Sequence, residues 1–166
     1  MHATSSNWED RLADLWSRID SCDEATFAQA MAGLNAELSE SNPIGLFELG
    51  AACDSTGSPQ QAVELYKSAL AAGLSGVRRR RVQIQMASLL RNLGEPQRAA
   101  DMLFAEMLQP SDELDQAVSA FMALALADLS RDREALSLSL GALSNYRPRY
   151  NRSLARYAHD LAPAPI

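Results

Sequence analysis

Residues 46–70 read LFELGAACDSTGSPQQAVELYKSAL. Apolar and small residues recur at steps of three and four on both sides of a polar turn, which is the pattern of two amphipathic helices. The turn contains Gly57, which tolerates a left-handed backbone, and Pro59, which suits the first turn of a helix. This segment therefore predicts a helical hairpin.

The hairpin is repeated along the chain. Aligning Gly57 with Gly94 gives a step of 37 residues, and Ala62, Ala99 and Ala135 recur at steps of 37 and 36. Repeats of this length indicate stacked helix-turn-helix units, in which small residues let neighbouring helices approach closely. No segment shows the sustained alternation of a β-strand. We therefore expect an all-α fold of about nine helices.

The repeat suggests how the 166 residues are organised. We expect a single domain, 1–166, made of an N-terminal helix pair that is a candidate degenerate repeat, three repeats and a C-terminal capping helix. These three parts are predicted at 7–40, 43–144 and 145–161. The first helix is expected to end near Ser21, and the fourth pair to begin at Ser111.

The last helix, predicted from about Pro148 to Leu161, is amphipathic. One stripe carries Tyr150, Leu154, Tyr157 and Leu161, and the opposite face carries Arg149, Arg152 and Arg156. Arginines interleaved with aromatic residues can bind single-stranded nucleic acid by stacking. A terminal repeat also needs a cap with one apolar and one polar face, and we favour this interpretation, with the tyrosines buried and the arginines in water.

Three segments carry a family resemblance: LFELG at 46–50, YKSALAAGL at 66–74 and RRRVQIQMASLLRNLG at 79–94. They resemble the tetratricopeptide repeat, and in particular a small bacterial tetratricopeptide family with no assigned reaction. The resemblance implies a right-handed α-solenoid of helical hairpins. It also implies a non-catalytic scaffold that binds a protein or peptide in a concave groove.

The same resemblance implies which residues face that groove, since the first helix of each hairpin lines it. Applied to this chain, it selects a set of candidate ligand-binding residues. They are Phe47, Glu48, Asp54, Arg81, Gln85, Ser88, Arg91 and Asn92.

Two interpretations of these polar residues stay open. Arg81, Gln85, Ser88 and Asn92 are spaced by four, three and four residues, so they share one helical face and form a row of hydrogen-bond donors. Such a row suits a peptide backbone or a carboxylate. Alternatively, the charged residues at equivalent repeat positions, Asp54, Arg91 and Asp128, pair with each other and have a structural role.

Charge is distributed unevenly. Residues 1–60 carry ten acidic and two basic side chains, whereas 61–166 carry eleven acidic and thirteen basic ones. Four of the arginines are consecutive, Arg78 to Arg81. They point in different directions around a helix, and we favour a solvated role for them. Because cations near a helix N-terminus oppose the helix dipole, the alternative is that they bind an acidic partner or the acidic N-terminal third of this chain. An alternative function is therefore self-assembly, as a homodimer or larger homo-oligomer, through the acidic N-terminal helices and this arginine patch.

Composition disfavours several other classes of protein. His2 and His159 are isolated, Cys22 and Cys53 lie far apart, and no glycine-rich phosphate loop is present, so we expect neither metal nor cofactor and no enzyme. Carboxylate catalysis by Glu48 and Asp54 stays formally open. The net charge of −6 disfavours nucleic acid, and the short apolar runs disfavour a membrane span. The polar N-terminus lacks the pattern of a secretory signal, so we expect a cytoplasmic location.

Overall fold

A computed structural model describes residues 4–146 and 150–162. Within these ranges the protein has nine α-helices, one 3-10 turn at Ile19–Ser21 and no strand, which confirms the all-α prediction. The helices are α1 Ser6–Ser17, α2 Glu24–Asn35, α3 Pro43–Ser55, α4 Pro59–Ala71, α5 Gly76–Asn92, α6 Pro96–Met107, α7 Asp115–Asp128, α8 Asp132–Ser144 and α9 Asn151–Leu161.

The chain forms two compact units, Met1–Val82 and Gln83–Ile166, which we call the N-terminal and C-terminal units. In the N-terminal unit, α1 packs on α2, α2 on α3 and α3 on α4. In the C-terminal unit, α6 packs on α7, α7 on α8 and α8 on α9. These six contacts all join helices that are consecutive in the sequence, as expected of helical hairpins.

The first helix of each repeat ends in the same turn. A residue with positive φ follows the helix, and the next N–H donates to the carbonyl five residues earlier, which is the bond of a Schellman motif. The positive-φ residues are Gly57, Gly94 and Ser130, with φ of 78°, 80° and 58°. The three bonds are Ser58 N to Cys53 O at 2.8 Å, Glu95 N to Leu90 O at 3.0 Å and Arg131 N to Leu126 O at 2.9 Å.

Ser130 is the exception among these turn residues, because a residue with a Cβ is strained in the left-handed region. We expect Ser130→Gly to raise the free energy of unfolding by about 1 kcal/mol, since glycine adopts this conformation without that strain. Urea denaturation followed by circular dichroism measures the change. Gly94→Ala, at the equivalent turn, should lower stability, and stabilisation by both substitutions would contradict the argument.

The bounds of α1 and α7 differ from the sequence prediction. α1 ends at Ser17, and the chain reaches Ser21 through the 3-10 turn. α7 begins at Asp115 rather than Ser111, because Oδ1 of Asp112 accepts a hydrogen bond from Leu114 N at 2.7 Å. A side chain that bonds its own nearby backbone in this way competes with helix formation.

Each unit has its own hydrophobic core. In the N-terminal unit, buried residues of α1 and α2 meet Ala52 of α3; they are Trp8, Leu12, Leu15, Phe27, Met31 and Leu34. In the C-terminal unit the core is rich in alanine, which keeps the helices close. It consists of Ile84, Ala87, Ala99, Ala100, Leu103, Val118, Met122, Ala123, Ala125, Leu126 and Ala135.

The prediction that the tyrosines of the last helix are buried is wrong. Tyr150 is 75% exposed and Tyr157 54% exposed, whereas Ala158 is 4% exposed. Ser137 Oγ of α8 donates a hydrogen bond to the carbonyl oxygen of Ala158 at 2.7 Å. The two helices therefore meet at the small residue Ala158 and not at the tyrosine rings. The predicted positions of Pro148 and Arg149 lie outside the described residues.

Candidate functional site

Two of the predicted groove residues are buried in the N-terminal unit. Phe47 is 3% exposed and packs near Tyr66, with 6.2 Å between ring centroids. Glu48 is 4% exposed. Both lie on α3, and neither presents a surface to a ligand in this conformation.

Glu48 is buried because side chains from two other helices enclose it. Trp16 Nε1 of α1 donates to Glu48 Oε2 at 2.9 Å, and Arg78 Nε of α5 donates to Glu48 Oε1 at 2.9 Å. Arg78 Nη2 also donates to Glu9 Oε2 of α1 at 2.6 Å. We call Glu9, Trp16, Glu48 and Arg78 the Arg78 cluster.

The Arg78 cluster is held together by charge at low solvent exposure. Burial raises the pKa of Glu48, although hydrogen bonds from Arg78 and Trp16 oppose the rise. A buried carboxylate is retained only where an opposite charge and hydrogen-bond donors meet it. The first residue of the arginine patch thus binds the acidic N-terminal helix of its own chain. Sequence analysis named this as one use of the patch but did not identify Glu9, Trp16 or Glu48 as the contacts.

Asp54, near the end of α3, is half-buried. Burial raises the pKa of its carboxyl group. The buried Tyr66 hydroxyl has no hydrogen-bond partner in the described part of the chain, and its own pKa is raised by burial and by the nearby Asp54, Glu48 and Cys53. The predicted pairing of Asp54 with Arg91 stays a prediction.

Arg91 pairs with Asp128, one of the two contacts predicted for the charged ladder. Arg91 Nε lies 2.6 Å from Asp128 Oδ2, although it is not aligned for a hydrogen bond, and Nη2 donates to Oδ1 at 3.3 Å. The contact joins the last turn of α5 to the last residue of α7. It therefore links the first helices of two successive repeats in the C-terminal unit.

The remaining polar candidates lie on α5. Arg81 and Asn92 are exposed, and Gln85 and Ser88 are half-buried. The side chains of Gln85, Ser88 and Asn92 make no hydrogen bond to any described residue. We call these three residues of the C-terminal unit the α5 polar row; their polar groups are not used by the described residues, and the Gln85 Oε1 among them is buried.

α7, which the Arg91–Asp128 pair joins to α5, offers an apolar surface at positions that the repeat register also assigns to the groove. Leu124 is 45% exposed, and Phe121 is half-buried on the same face, three residues earlier. An exposed leucine next to a half-buried aromatic ring is a common composition for the centre of a protein interface. The signal in the sequence was the spacing of these residues on the first helix of the third repeat.

A cavity of about 380 Å³ lies in the N-terminal unit, where α3 and α5 begin. Its lining is apolar apart from Ser75 and Arg78, and it consists of Pro43, Ile44, Gly73, Leu74, Ser75, Val77 and Arg78. The Arg78 guanidinium is already bound to two carboxylates. This cavity therefore offers no uncommitted charge to a ligand.

Two features of residues 4–146 and 150–162 bear on other functions. No group of three or more His, Cys, Asp or Glu side chains in these ranges is arranged to hold a metal ion. None of the helices described there combines the length and apolar character that crossing a bilayer requires.

The helical hairpins contain the same type of turn, and several side chains on their first helices are not used internally. These features define a helical-repeat protein. A family model described as tetratrico peptide repeat matches residues 43–161, well over half of the chain. The chain therefore belongs to the tetratricopeptide repeat family, whose repeats generally mediate protein–protein interactions. No curated protein and no solved structure matches it.

Proposed function

We propose that this protein is a non-catalytic binding module that holds a segment of another protein on its C-terminal unit. The binding surface consists of the α5 polar row and the neighbouring apolar residues Phe121 and Leu124 of α7. The single observation that carries the proposal is the combination of uncommitted polar side chains with an exposed leucine on first helices joined by the Arg91–Asp128 pair.

The chemistry of this surface suits a peptide. Amide and hydroxyl side chains donate to and accept from a peptide backbone without requiring a particular charge. Leu124 and Phe121 can bury an apolar side chain of the partner, and such central apolar contacts supply most of the affinity in protein interfaces. The expected partner is a segment with an apolar anchor residue flanked by exposed backbone.

The other candidates have different parts in this proposal. Arg91 positions α5 against α7 through Asp128. Phe47 and Glu48 support α3 from inside and are not included in the proposed surface. Arg81 and Asp54, on the N-terminal unit, remain separate candidate contacts, each to be tested by its own substitution.

The experiment uses the full-length protein and a library of random peptides displayed on phage. Peptides enriched on the wild-type protein are then measured against the double variant Gln85→Ala/Leu124→Asp. We expect binding to weaken at least tenfold, because losing one well-buried contact costs about 1.4 kcal/mol or more. Affinity is measured by isothermal titration calorimetry with synthetic copies of the peptides.

The matched control is Leu108→Asp at the end of α6. Leu108 is 71% exposed and lies outside the proposed surface, so this variant changes charge and hydrophobicity in the same way as Leu124→Asp. It should bind the selected peptides as the wild type does. Equal affinity of all three proteins would show that the α5–α7 surface is not the binding site.

A further inference from the structure

The exposed side of α9 is built like an interaction surface, and the proposed peptide site does not use it. Arg152 and Arg156 are one helical turn apart and exposed, and the Arg156 guanidinium carbon lies 5.0 Å from the centroid of the Tyr157 ring. Tyr150 lies just before the helix and is 75% exposed. We call Tyr150, Arg152, Arg156 and Tyr157 the α9 face.

The arginines of the α9 face are not committed inside the described structure. Neither Arg152 nor Arg156 forms an ion pair with a residue in 4–146 or 150–162. Arginine and tyrosine combine large apolar area with polar groups, and they are enriched among residues that dominate binding energy in interfaces. Residues 147–162 carry four arginines and one aspartate, so the segment around the α9 face is locally basic in an acidic chain.

The opposite charge is concentrated at the other end of the sequence. Residues 5–40 carry eight acidic and two basic side chains. Both basic residues, Arg11 and Arg18, form ion pairs with acidic residues of the same segment. Arg11 pairs with Glu37, and Arg18 pairs with Asp14. The segment therefore presents an excess of carboxylates.

Four of these carboxylates are exposed and form no ion pair with any described residue: Asp10, Asp20, Glu24 and Glu40. Between Glu24 and Glu40 in the sequence, the exposed side of α2 carries three small residues, Ala25, Ala28 and Ala32. Small residues allow a second helix to approach closely. We call the surface formed by the helix pair α1 and α2 together with these four carboxylates the acidic pair.

We propose that the α9 face of one copy of this protein binds the acidic pair of a second copy. Arginines that form no ion pair with a described residue then meet carboxylates that are likewise unpaired there, and the tyrosine rings pack on the alanine side of α2. The two surfaces are different, so the contact is head-to-tail, and it joins copies into a chain or closes them into a ring. The proposal is independent of peptide binding on the C-terminal unit.

The competing occupant of the α9 face is single-stranded nucleic acid, which also binds arginine and tyrosine. The net charge of −6 opposes binding to a phosphate backbone, whereas the acidic pair supplies the matching charge from this chain itself. The second copy is therefore the better match, and nucleic acid is the alternative outcome of the test.

The test measures molecular mass by light scattering over a range of protein and salt concentrations. Wild-type protein should associate at low salt and dissociate at high salt, because salt screens exposed charges. Arg152→Glu/Arg156→Glu and, separately, Asp20→Arg/Glu24→Arg should each weaken association about tenfold or more. An equal mixture of the two variants should associate again, because each then offers the charge that the other lacks.

The matched control is Lys67→Glu/Arg98→Glu, which changes the net charge as much as the α9 variant does. Both control residues are exposed and lie outside the two proposed surfaces, so this protein should associate like the wild type. A wild-type protein that stays monomeric at low salt and high concentration would overturn the proposal. So would failure of the mixture to associate.

A fluorescent oligothymidine resolves the alternative. If the wild type shifts the oligonucleotide at low salt, the α9 variant does not, and neither protein self-associates, the α9 face is a nucleic-acid surface and the proposal fails. The expected result is no shift with either protein. Circular dichroism of each variant should match that of the wild type, since all substituted residues are exposed.

Discussion

Arg78→Ala should lower the free energy of unfolding by about 3 kcal/mol, the lower end of the cost of removing one partner from a buried ion pair. Among the described residues, the substitution leaves the Glu48 carboxylate, 4% exposed, with the indole N–H of Trp16 as its remaining hydrogen-bond donor. It also releases Glu9, so α1 loses its charged contact with α5. Urea denaturation of the full-length protein measures the loss.

The matched control for this prediction is Lys67→Ala, which breaks an exposed pair with Glu64 on α4. Exposed pairs contribute about 1 kcal/mol at most, so this variant should be close to the wild type. Adding Glu48→Gln to Arg78→Ala should restore part of the lost stability, because the unpaired buried charge is removed. If Arg78→Ala costs no more than Lys67→Ala, the Arg78 cluster does not stabilise the N-terminal unit.

Gly50→Ala is expected to have the second large effect, a loss of about 2 kcal/mol from overpacking. A Cβ at this position would lie 2.8 Å from two carbons of the Tyr66 ring and 3.3 Å from Leu65 Cβ. Tyr66 is fully buried, so its ring can move only by displacing other core residues. The strain should exceed the gain that alanine brings to a helix, which is about 1 kcal/mol.

The same substitution at Gly33 is the control, because that glycine also lies inside a helix but has no atom within 4 Å of its added Cβ. Gly33→Ala should therefore stabilise the protein by about 0.5 to 1 kcal/mol. Thermal and urea denaturation should show opposite signs for the two variants. Two stabilised proteins would mean that the contact of α3 with α4 at Gly50 is looser than described.

The repeat was predictable because it depends on local chemistry. Proline in the first turn of a helix and glycine in the turn between two helices act within a few residues. The turns at Gly57 and Gly94 and the helix start at Pro59 could therefore be assigned from the sequence alone. The left-handed backbone of Ser130 was not predicted, since serine carries no such preference.

The candidate site was less predictable because burial depends on distant helices. The family register assigns Glu48 of α3 to a ligand-facing position. In the structure, Trp16 and Arg78 cover Glu48, although they lie 32 and 30 residues away in the sequence. On α9, the stripe that contains Tyr157 and the stripe that contains Ala158 share Leu154 and Leu161. Helical periodicity alone therefore could not tell which of the two faces α8.

Both tryptophans of this protein, Trp8 and Trp16, lie on α1, inside the core and the Arg78 cluster of the N-terminal unit. Indole emission therefore responds to the environment of that unit alone, whereas far-ultraviolet circular dichroism sums over the helices of both units. Tryptophan fluorescence thus reports on the N-terminal unit without an added label. Coincident or separate transitions in the two signals would show whether the halves unfold as one cooperative block.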